Sequence, residues 1–159
     1  MTTLIKAAVT AALAIAFGSA AAADNKQECV SMVKKAGDFL AANGKDKTLA
    51  EINNPKGLFS HGEIYLFASD HVPNWDSSKD RTITLAHGAN PKLVGKDMTD
   101  LKDADGFAFV KRMAEIASSK SGEGWTDYKW PNPVTKAIEP KTTFTKRIEP
   151  LVISCGVYK

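Results

Sequence analysis

Three strand-like segments follow one another closely near the end of the chain, and they constrain the fold more than any other feature. They cover residues 125–130, 142–148 and 151–158, and they are rich in β-branched and aromatic residues. No helix-length segment separates them, so neighbouring strands are expected to pair antiparallel. The sequence therefore predicts an antiparallel strand meander at this end of the chain.

Three other segments have the periodicity of amphipathic helices. In the first, apolar residues recur at spacings of four and three, at Cys29, Val33, Ala36 and Leu40, and Asn-Gly at 43–44 predicts its end. A short second helix follows, for which Asp46 is the predicted cap. A turn at 103–106 is expected to cap the third helix. The predicted buried face of that helix consists of Phe109, Val110, Met113, Ile116 and Ala117.

Two more strand-like segments, 63–68 and 82–86, lie in the middle of the chain on either side of a polar loop at 69–81. The length of 159 residues, with 43% apolar and 25% charged residues, is suited to one compact domain. Together these elements predict an α+β domain in which helices cover part of one antiparallel sheet.

The first 23 residues have the pattern of a secretory signal peptide. Lys6 provides a positive start, 7–17 is almost entirely apolar or small, and small residues at 21–23 suit a peptidase. The apolar stretch is well short of the ~20 residues that span a bilayer. We therefore expect cleavage between Ala23 and Asp24, and a mature domain of residues 24–159 in the periplasm with no stable membrane insertion.

Two cysteines remain after cleavage, Cys29 and Cys155, at opposite ends of the mature chain. An exported protein matures under oxidising conditions, which favours a disulfide between them. The alternative is a pair of buried free thiols that pack as small hydrophobic side chains.

The sequence offers little support for several other classes of function. The net charge of +3 is spread without a dense basic block, so no nucleic-acid partner is predicted. A phosphate-binding loop, a Gly-x-Ser-x-Gly turn, His-Glu-x-x-His and Cys-x-x-Cys are all missing. The three histidines, at 61, 71 and 87, have no recognised metal-ligand spacing. We therefore expect no enzyme activity, no catalytic residue, no cofactor and no metal.

Several motifs, in the same order and at similar spacing, resemble the single Cache domain. They are Asn-Pro-Lys-Gly-Leu-Phe at 54–59, Leu-Val-Gly-Lys-Asp at 93–97, Asp-Ala-Asp-Gly at 103–106, Gly-Trp-Thr-Asp-Tyr-Lys-Trp-Pro-Asn-Pro at 124–133, Pro-Lys at 140–141 and Gly-Val-Tyr at 156–158. The Trp-x-x-Tyr-x-Trp-Pro-x-Pro run is the most specific of them. The resemblance covers residues 26–158, nearly the whole mature chain.

The resemblance implies a PAS-like fold, in which a long N-terminal helix lies on a central antiparallel sheet of about five to six strands and a ligand pocket lies on the sheet. Such domains are usually extracytoplasmic sensors of chemoreceptors and histidine kinases, and they bind small organic acids, amino acids or related metabolites. In this chain no membrane-spanning or output segment is evident, so a separate membrane receptor or kinase is expected as partner. An extra stretch at 72–81 is expected to alter the entrance of the pocket.

The predicted ligand-binding residues are Tyr65, His87, Tyr128, Trp130 and Lys141. Tyr128 and Trp130 are two residues apart on one strand, so their side chains point to the same face. Lys141 opens the next strand, where hairpin pairing would bring its ammonium near Trp130 and allow it to pair with a carboxylate. The competing interpretation is that the aromatic pair belongs to the core and that Lys141 is a solvated surface charge.

The leading hypothesis is a periplasmic, sensor-type domain that binds a short-chain organic acid and acts with a separate membrane partner for signalling or transport. The alternative is an interaction or assembly protein of the same fold without a small-molecule ligand.

Trp125 is an odd number of residues from Trp130 on the same predicted strand, so its side chain points to the opposite face. It is therefore expected in the core rather than in the pocket.

Overall fold

The computed structural model describes residues 17–159, with side chains from Asp24 onward. Most of the predicted signal peptide lies outside these residues, so the leader, its cleavage after Ala23 and the domain bounds 24–159 stay predictions. Among the described helices, none combines the length and apolarity needed to cross a membrane.

Residues 17–159 form three α-helices and six strands. The helices are α1 (Phe17–Asn43), α2 (Lys45–Ile52) and α3 (Phe109–Ser118). The strands are β1 (Ser60–His61), β2 (Ile64–Asp70), β3 (Thr84–His87), β4 (Glu123–Pro131), β5 (Ile138–Ile148) and β6 (Leu151–Tyr158).

The strands form one antiparallel sheet in the order β1-β2-β6-β5-β4, and β3 also pairs with β2. The last strand, β6, lies in the middle between β2 and β5. Its residues alternate between two buried faces, which suits the uninterrupted apolar and small sequence of this strand. The predicted α+β class, the meander and the sheet of five to six strands are confirmed.

Helix α1 covers one face of the sheet with the predicted apolar stripe. Cys29, Val33 and Ala36 are fully buried in a core that includes Leu66 and Ile153. The helix ends at Asn43, and Gly44 has a φ of 82°, a backbone conformation that favours glycine.

The predicted disulfide between Cys29 and Cys155 is confirmed, with the two Cα atoms 5.3 Å apart. It joins the N-terminal helix to the central strand of the sheet. Both cysteines are completely buried, so the crosslink lies inside the core that α1 forms with the sheet.

Neither of the two predicted acidic helix caps is formed. Asp46 lies in the first turn of α2, whose N-cap is Gly44, and the N-cap of α3 is Ala108. The turn at 103–106 does exist. The Asp103 carboxylate accepts backbone N–H bonds from Asp105, Phe107 and Lys129, so it fastens the loop to β4 instead of capping the helix.

The prediction that Trp125 lies in the core is wrong. Its side chain is 37% exposed, because β4 is an edge strand of the sheet. The ring packs against Phe144 on one side, and Lys26 Nζ lies 5.2 Å from its centroid.

Candidate functional site

A cavity of about 70 Å³ lies on the face of the sheet opposite α1. Helix α3 forms its apolar wall through Phe109, Val110 and Met113. Side chains alternate along β2, so Tyr65 and Phe67 face the cavity while Leu66 faces the α1 core.

Four of the five predicted ligand-binding residues line this cavity: Tyr65, His87, Tyr128 and Trp130. The fifth, Lys141, lies directly behind Tyr65, with its Nζ 2.7 Å from Tyr65 Oη. The fold thus brings together five residues that are up to 76 positions apart in sequence. Their role in binding a ligand stays a prediction.

The register of the β4–β5 hairpin differs from the sequence-based expectation. Strand β5 begins at Ile138, so Lys141 lies opposite Tyr128, and Trp130 lies opposite Glu139. Lys141 is only 1% exposed, so it is not a solvated surface charge.

Lys141 is buried among aromatic side chains. Its Nζ donates hydrogen bonds to Tyr65 Oη at 2.7 Å and to Tyr158 Oη at 3.4 Å, and it lies 4.0 Å from the Tyr65 ring centroid. In the described part of the chain, no carboxylate lies within ion-pairing distance of it. Burial lowers the pKa of Lys141 well below its usual value, because a charged ammonium is costly without water or a counter-ion.

Gly156 on β6 makes room for the lysine. A Cβ at this position would lie 2.1 Å from Lys141 Cε and 2.5 Å from Thr143 Oγ1. The lysine stem therefore crosses the sheet over a glycine, and any larger residue there would displace it.

Tyr158 belongs to the same polar cluster, although sequence analysis did not select it. Its hydroxyl donates to the Pro131 carbonyl at 2.8 Å and lies 3.5 Å from Tyr65 Oη. Burial raises the pKa of both Tyr65 and Tyr158, so both phenols stay protonated. The alternation of side chains along β6 could have indicated Tyr158 as a site residue. Tyr158 lies four residues beyond Ser154, so both side chains are on the cavity face of this strand.

His87 is a neutral hydrogen-bond donor in this site. Its Nδ1 accepts backbone N–H bonds from Asn90 at 3.0 Å and Ala89 at 3.3 Å, so the proton lies on Nε2. Burial, and then the nearby Lys141 charge, lower the pKa of His87 to about 4. The ring packs against Tyr65 and Phe67, with centroid distances of 5.0 and 5.7 Å.

Tyr128 and Trp130 form an aromatic wall with α3. The Tyr128 ring stacks on Phe109 at a centroid distance of 4.3 Å, and Trp130 meets Phe109 nearly edge-on at 5.4 Å. Tyr128 Oη lies 3.0 Å from Thr143 Oγ1. Tyr128 therefore serves both as cavity wall and as part of the small core beneath α3.

The extra loop at 72–81 closes one end of the cavity. Val72 and Trp75 from this loop line it, together with His71 at the end of β2. Ser118 Oγ donates to the Val72 carbonyl at 3.3 Å and ties the loop to α3. The sequence predicted that this loop alters the pocket entrance, but it did not indicate Trp75 as a lining residue.

The site combines an apolar wall with a few hydrogen-bond donors and one buried amine, which is the chemistry that a small carboxylate needs. Among the described residues, no group of three or more His, Cys, Asp or Glu side chains is arranged to hold a metal ion.

One known family matches nearly the whole described chain. The family model described as "single Cache domain 2" matches residues 21–159. Among curated proteins, the methyl-accepting chemotaxis protein McpP of Pseudomonas putida is 34% identical over 76 residues, which is 46% of this chain. This chain spans only 14% of the length of that relative.

Three solved structures illustrate the similarity in fold. A methyl-accepting chemotaxis protein from Vibrio parahaemolyticus has a TM-score of 0.66 and 23% identity, covering 88% of this chain and 92% of that one. A periplasmic sensor domain of a chemotaxis protein has a TM-score of 0.65 and 20% identity, covering 90% and 99%. A Cache chemosensory domain whose carboxylic acid recognition has been described has a TM-score of 0.61 and 23% identity, covering 91% and 99%. These likenesses establish the fold.

Proposed function

Because this chain belongs to the single Cache domain 2 family, we propose that it is a periplasmic, sensor-type domain that binds a short-chain carboxylic acid. The observation that carries the proposal is Lys141, a fully buried lysine beside the cavity without a carboxylate partner among the described residues. A ligand carboxylate would supply the missing counter-charge.

The hydrogen bonds of the site support this assignment. Lys141 Nζ donates to Tyr65 Oη, which leaves the Tyr65 hydroxyl proton free to be donated in turn. His87 carries its proton on Nε2, the nitrogen that makes no bond to the backbone. A carboxylate that accepts from Tyr65 and His87 would therefore lie next to the Lys141 charge.

The size of the cavity limits the ligand to a small acid. A water-sized group needs about 10–15 Å³ of such space, so 70 Å³ accommodates roughly five to seven non-hydrogen atoms. Unbranched monocarboxylic acids of about three to five carbons have this size. One structurally similar domain is described as recognising carboxylic acids, which supports the same ligand class.

The proposal also includes the cellular location and the partner of this chain. The similar proteins are chemotaxis proteins, and one similar structure is a periplasmic sensor domain, so we place this chain in the periplasm with a membrane receptor or kinase as partner.

A thermal-shift screen of protein purified from the periplasm, against organic acids and amino acids, tests the proposal. A ligand at 100 times its Kd is expected to add ~2.7 kcal/mol of stability. The shift is expected with short acids and is expected to shrink strongly in Lys141→Met. No shift with any compound would favour the assembly protein without a ligand instead.

A further inference from the structure

The buried amine of Lys141 has only neutral hydrogen-bond partners. Its Nζ lies 2.7 Å from Tyr65 Oη and 3.4 Å from Tyr158 Oη, and the residue is 1% exposed. An ammonium in this environment would have neither water nor a counter-ion, and a buried charge of this kind usually neutralises by losing its proton. The low pKa that burial gives Lys141 agrees with this. Lys141 of the free protein is therefore expected to be a neutral amine, most clearly at mildly alkaline pH.

The titratable groups around Lys141 come from all the strands that pack near it. They are Tyr65 on β2, His87 on β3, Tyr128 on β4, Glu139 on β5 itself, Tyr158 on β6, and Glu63 just before β2. The tyrosines stay protonated because burial raises the pKa of each of them. Only the two glutamates among these groups carry a charge at neutral pH.

The nearby carboxylates are held by other partners. Glu63 and Glu139 both accept from Asn132 Nδ2, each at 2.7 Å, and neither lies within ion-pairing distance of Lys141 Nζ. Three aspartates line a depression that Lys141 also borders: Asp103 accepts backbone N–H bonds, Asp105 pairs with Lys129 at 2.9 Å, and Asp127 pairs with Lys159 at 3.0 Å. Lys141 therefore has no direct counter-charge among the described residues.

A ligand carboxylate at Tyr65 and His87 changes this balance. Beside a neutral amine, the anion would itself be an uncompensated charge in a largely apolar cavity. His87 does not supply the compensation, because burial is the main cause that lowers its pKa to about 4. Uptake of one proton by Lys141 produces an ammonium next to the carboxylate, so that the net charge brought into the site is zero.

The hydrogen bond between Lys141 and Tyr65 suits both protonation states. An ammonium can only donate to Tyr65 Oη, which leaves the hydroxyl proton of Tyr65 available to the ligand. A neutral amine can instead accept that proton at the same nitrogen–oxygen separation. Protonation of Lys141 therefore turns Tyr65 into a donor towards the cavity, and protonation and carboxylate binding favour each other.

We propose that binding of the acid is coupled to the uptake of one proton from solvent, and that Lys141 holds this proton in the complex. The neutral amine, the ligand carboxylate and one solvent proton together give an ammonium beside a carboxylate. This inference rests on the proposed function, since it concerns the same ligand carboxylate.

The coupling determines which form of the acid the domain measures. The product of the anion and proton concentrations is proportional to the concentration of the undissociated acid. Wherever Lys141 of the free protein is neutral, occupancy of the site therefore follows the undissociated acid rather than the total carboxylate. The same amount of acid in solution is then bound more strongly as the pH falls.

Calorimetric titration with propionate, butyrate and pentanoate, the acids of the size that fits the cavity, tests the coupling. Titrations at pH 8.5 in two buffers of different ionisation enthalpy, such as bicine and Tris, measure the number of protons taken up. Close to one proton per bound acid is expected, whereas a lysine with the ordinary pKa of about 10.4 would take up almost none. Between pH 8 and 9, the Kd is expected to rise about tenfold, because one proton is bound with each acid.

Variants locate the proton. Lys141→Met is expected to bind the acid more weakly, with no proton uptake and with the same Kd at pH 8 and 9. His87→Gln is expected to bind more weakly but to keep the uptake. Lys146→Met is the matched control, since Lys146 is half-exposed beside Glu123 on the same strand, and it is expected to keep both the affinity and the uptake.

NMR of wild-type protein with ¹³C-labelled lysine gives a measurement that needs no variant. Addition of the acid at pH 8.5 is expected to move the Lys141 Cε signal from the amine to the ammonium position. Binding without proton uptake, with a Kd that is constant between pH 8 and 9, would overturn the coupling and leave the carboxylate site standing. Uptake with an unchanged Lys141 signal, or uptake that only His87→Gln removes, would place the proton elsewhere and also overturn it. Failure of all three acids to bind would overturn both proposals.

Discussion

Lys141 is the residue whose substitution should separate binding from folding. Lys141→Met keeps most of the aliphatic stem and removes the charge, so the packing over Gly156 is retained. A charge-assisted contact is worth roughly 1.5–3 kcal/mol, so affinity for the acid is expected to fall about tenfold to a hundredfold. The free energy of unfolding should change little, or increase, because a buried amine without a counter-ion is removed.

Isothermal titration of the variant with the acid found in the screen measures this effect. Lys146→Met is the matched control, since Lys146 is on the same strand but lies half-exposed beside Glu123. Unchanged affinity in Lys141→Met would remove the lysine from the binding site.

His87 should make stability depend on mildly acidic pH. Its pKa is about 4 in the folded protein and about 6.5 in the unfolded chain, so the unfolded chain binds the proton first as pH falls. Stability is therefore fully present above pH 6.5 and is lost as pH falls towards 4, by up to about 3 kcal/mol.

Urea denaturation between pH 4 and 7 measures the loss. His87→Gln, which cannot titrate, should flatten the curve in this window, and His61→Gln, at an exposed position, should not. Identical slopes in the wild type and His87→Gln would show that His87 titrates normally in the folded protein.

At the scale of elements, helix α1 and strand β6 are held together by the Cys29–Cys155 disulfide. The two cysteines are 126 residues apart in sequence, and the chain-entropy estimate for a loop of that length is roughly 4–5 kcal/mol. Double replacement of both cysteines by Ala should therefore lower stability by about 2–5 kcal/mol, measured by urea denaturation.

The oxidation state provides an independent check of the same bond. Protein unfolded without reductant should take up no alkylating reagent, and both cysteines should react after reduction. Alkylation before reduction would mean that the bond does not form in the cell.

The sequence predicted most elements because each has its own periodicity. The apolar stripe of α1, the buried face of α3 and the strands of the meander all follow from spacing within one segment. By contrast, the two-residue strand β1 has no periodicity to detect, and Trp125 was misjudged because its exposure depends on β4 being an edge strand.

The site was only partly predictable for the same reason. Tyr128 and Trp130 share a strand face, which spacing alone indicates. The contacts of Lys141 depend on the hairpin register, and its burial depends on Tyr65 and Tyr158 from two other strands. Trp75 was missed because no local pattern tells which side chain of a polar loop turns inward.

At the scale of the whole molecule, the sheet separates two tasks. Its α1 face forms a continuous apolar core, which the disulfide crosses. Its other face, beneath α3, holds the cavity with the polar residues. Under the proposed function, ligand recognition depends on one side of these strands, whereas the larger apolar core lies on the other side.

This alternation is clearest on β6, where Ile153 and Cys155 belong to the core, and Val152 and Ser154 line the cavity. Substitutions at successive positions of one strand should thus meet two unrelated constraints. Evolutionary drift at every second residue can alter which metabolite is recognised while the remaining residues preserve foldability. A library for redesigning ligand preference can therefore randomise cavity-facing positions, such as those of β2 and β6, and leave the core-facing positions of the same strands unchanged.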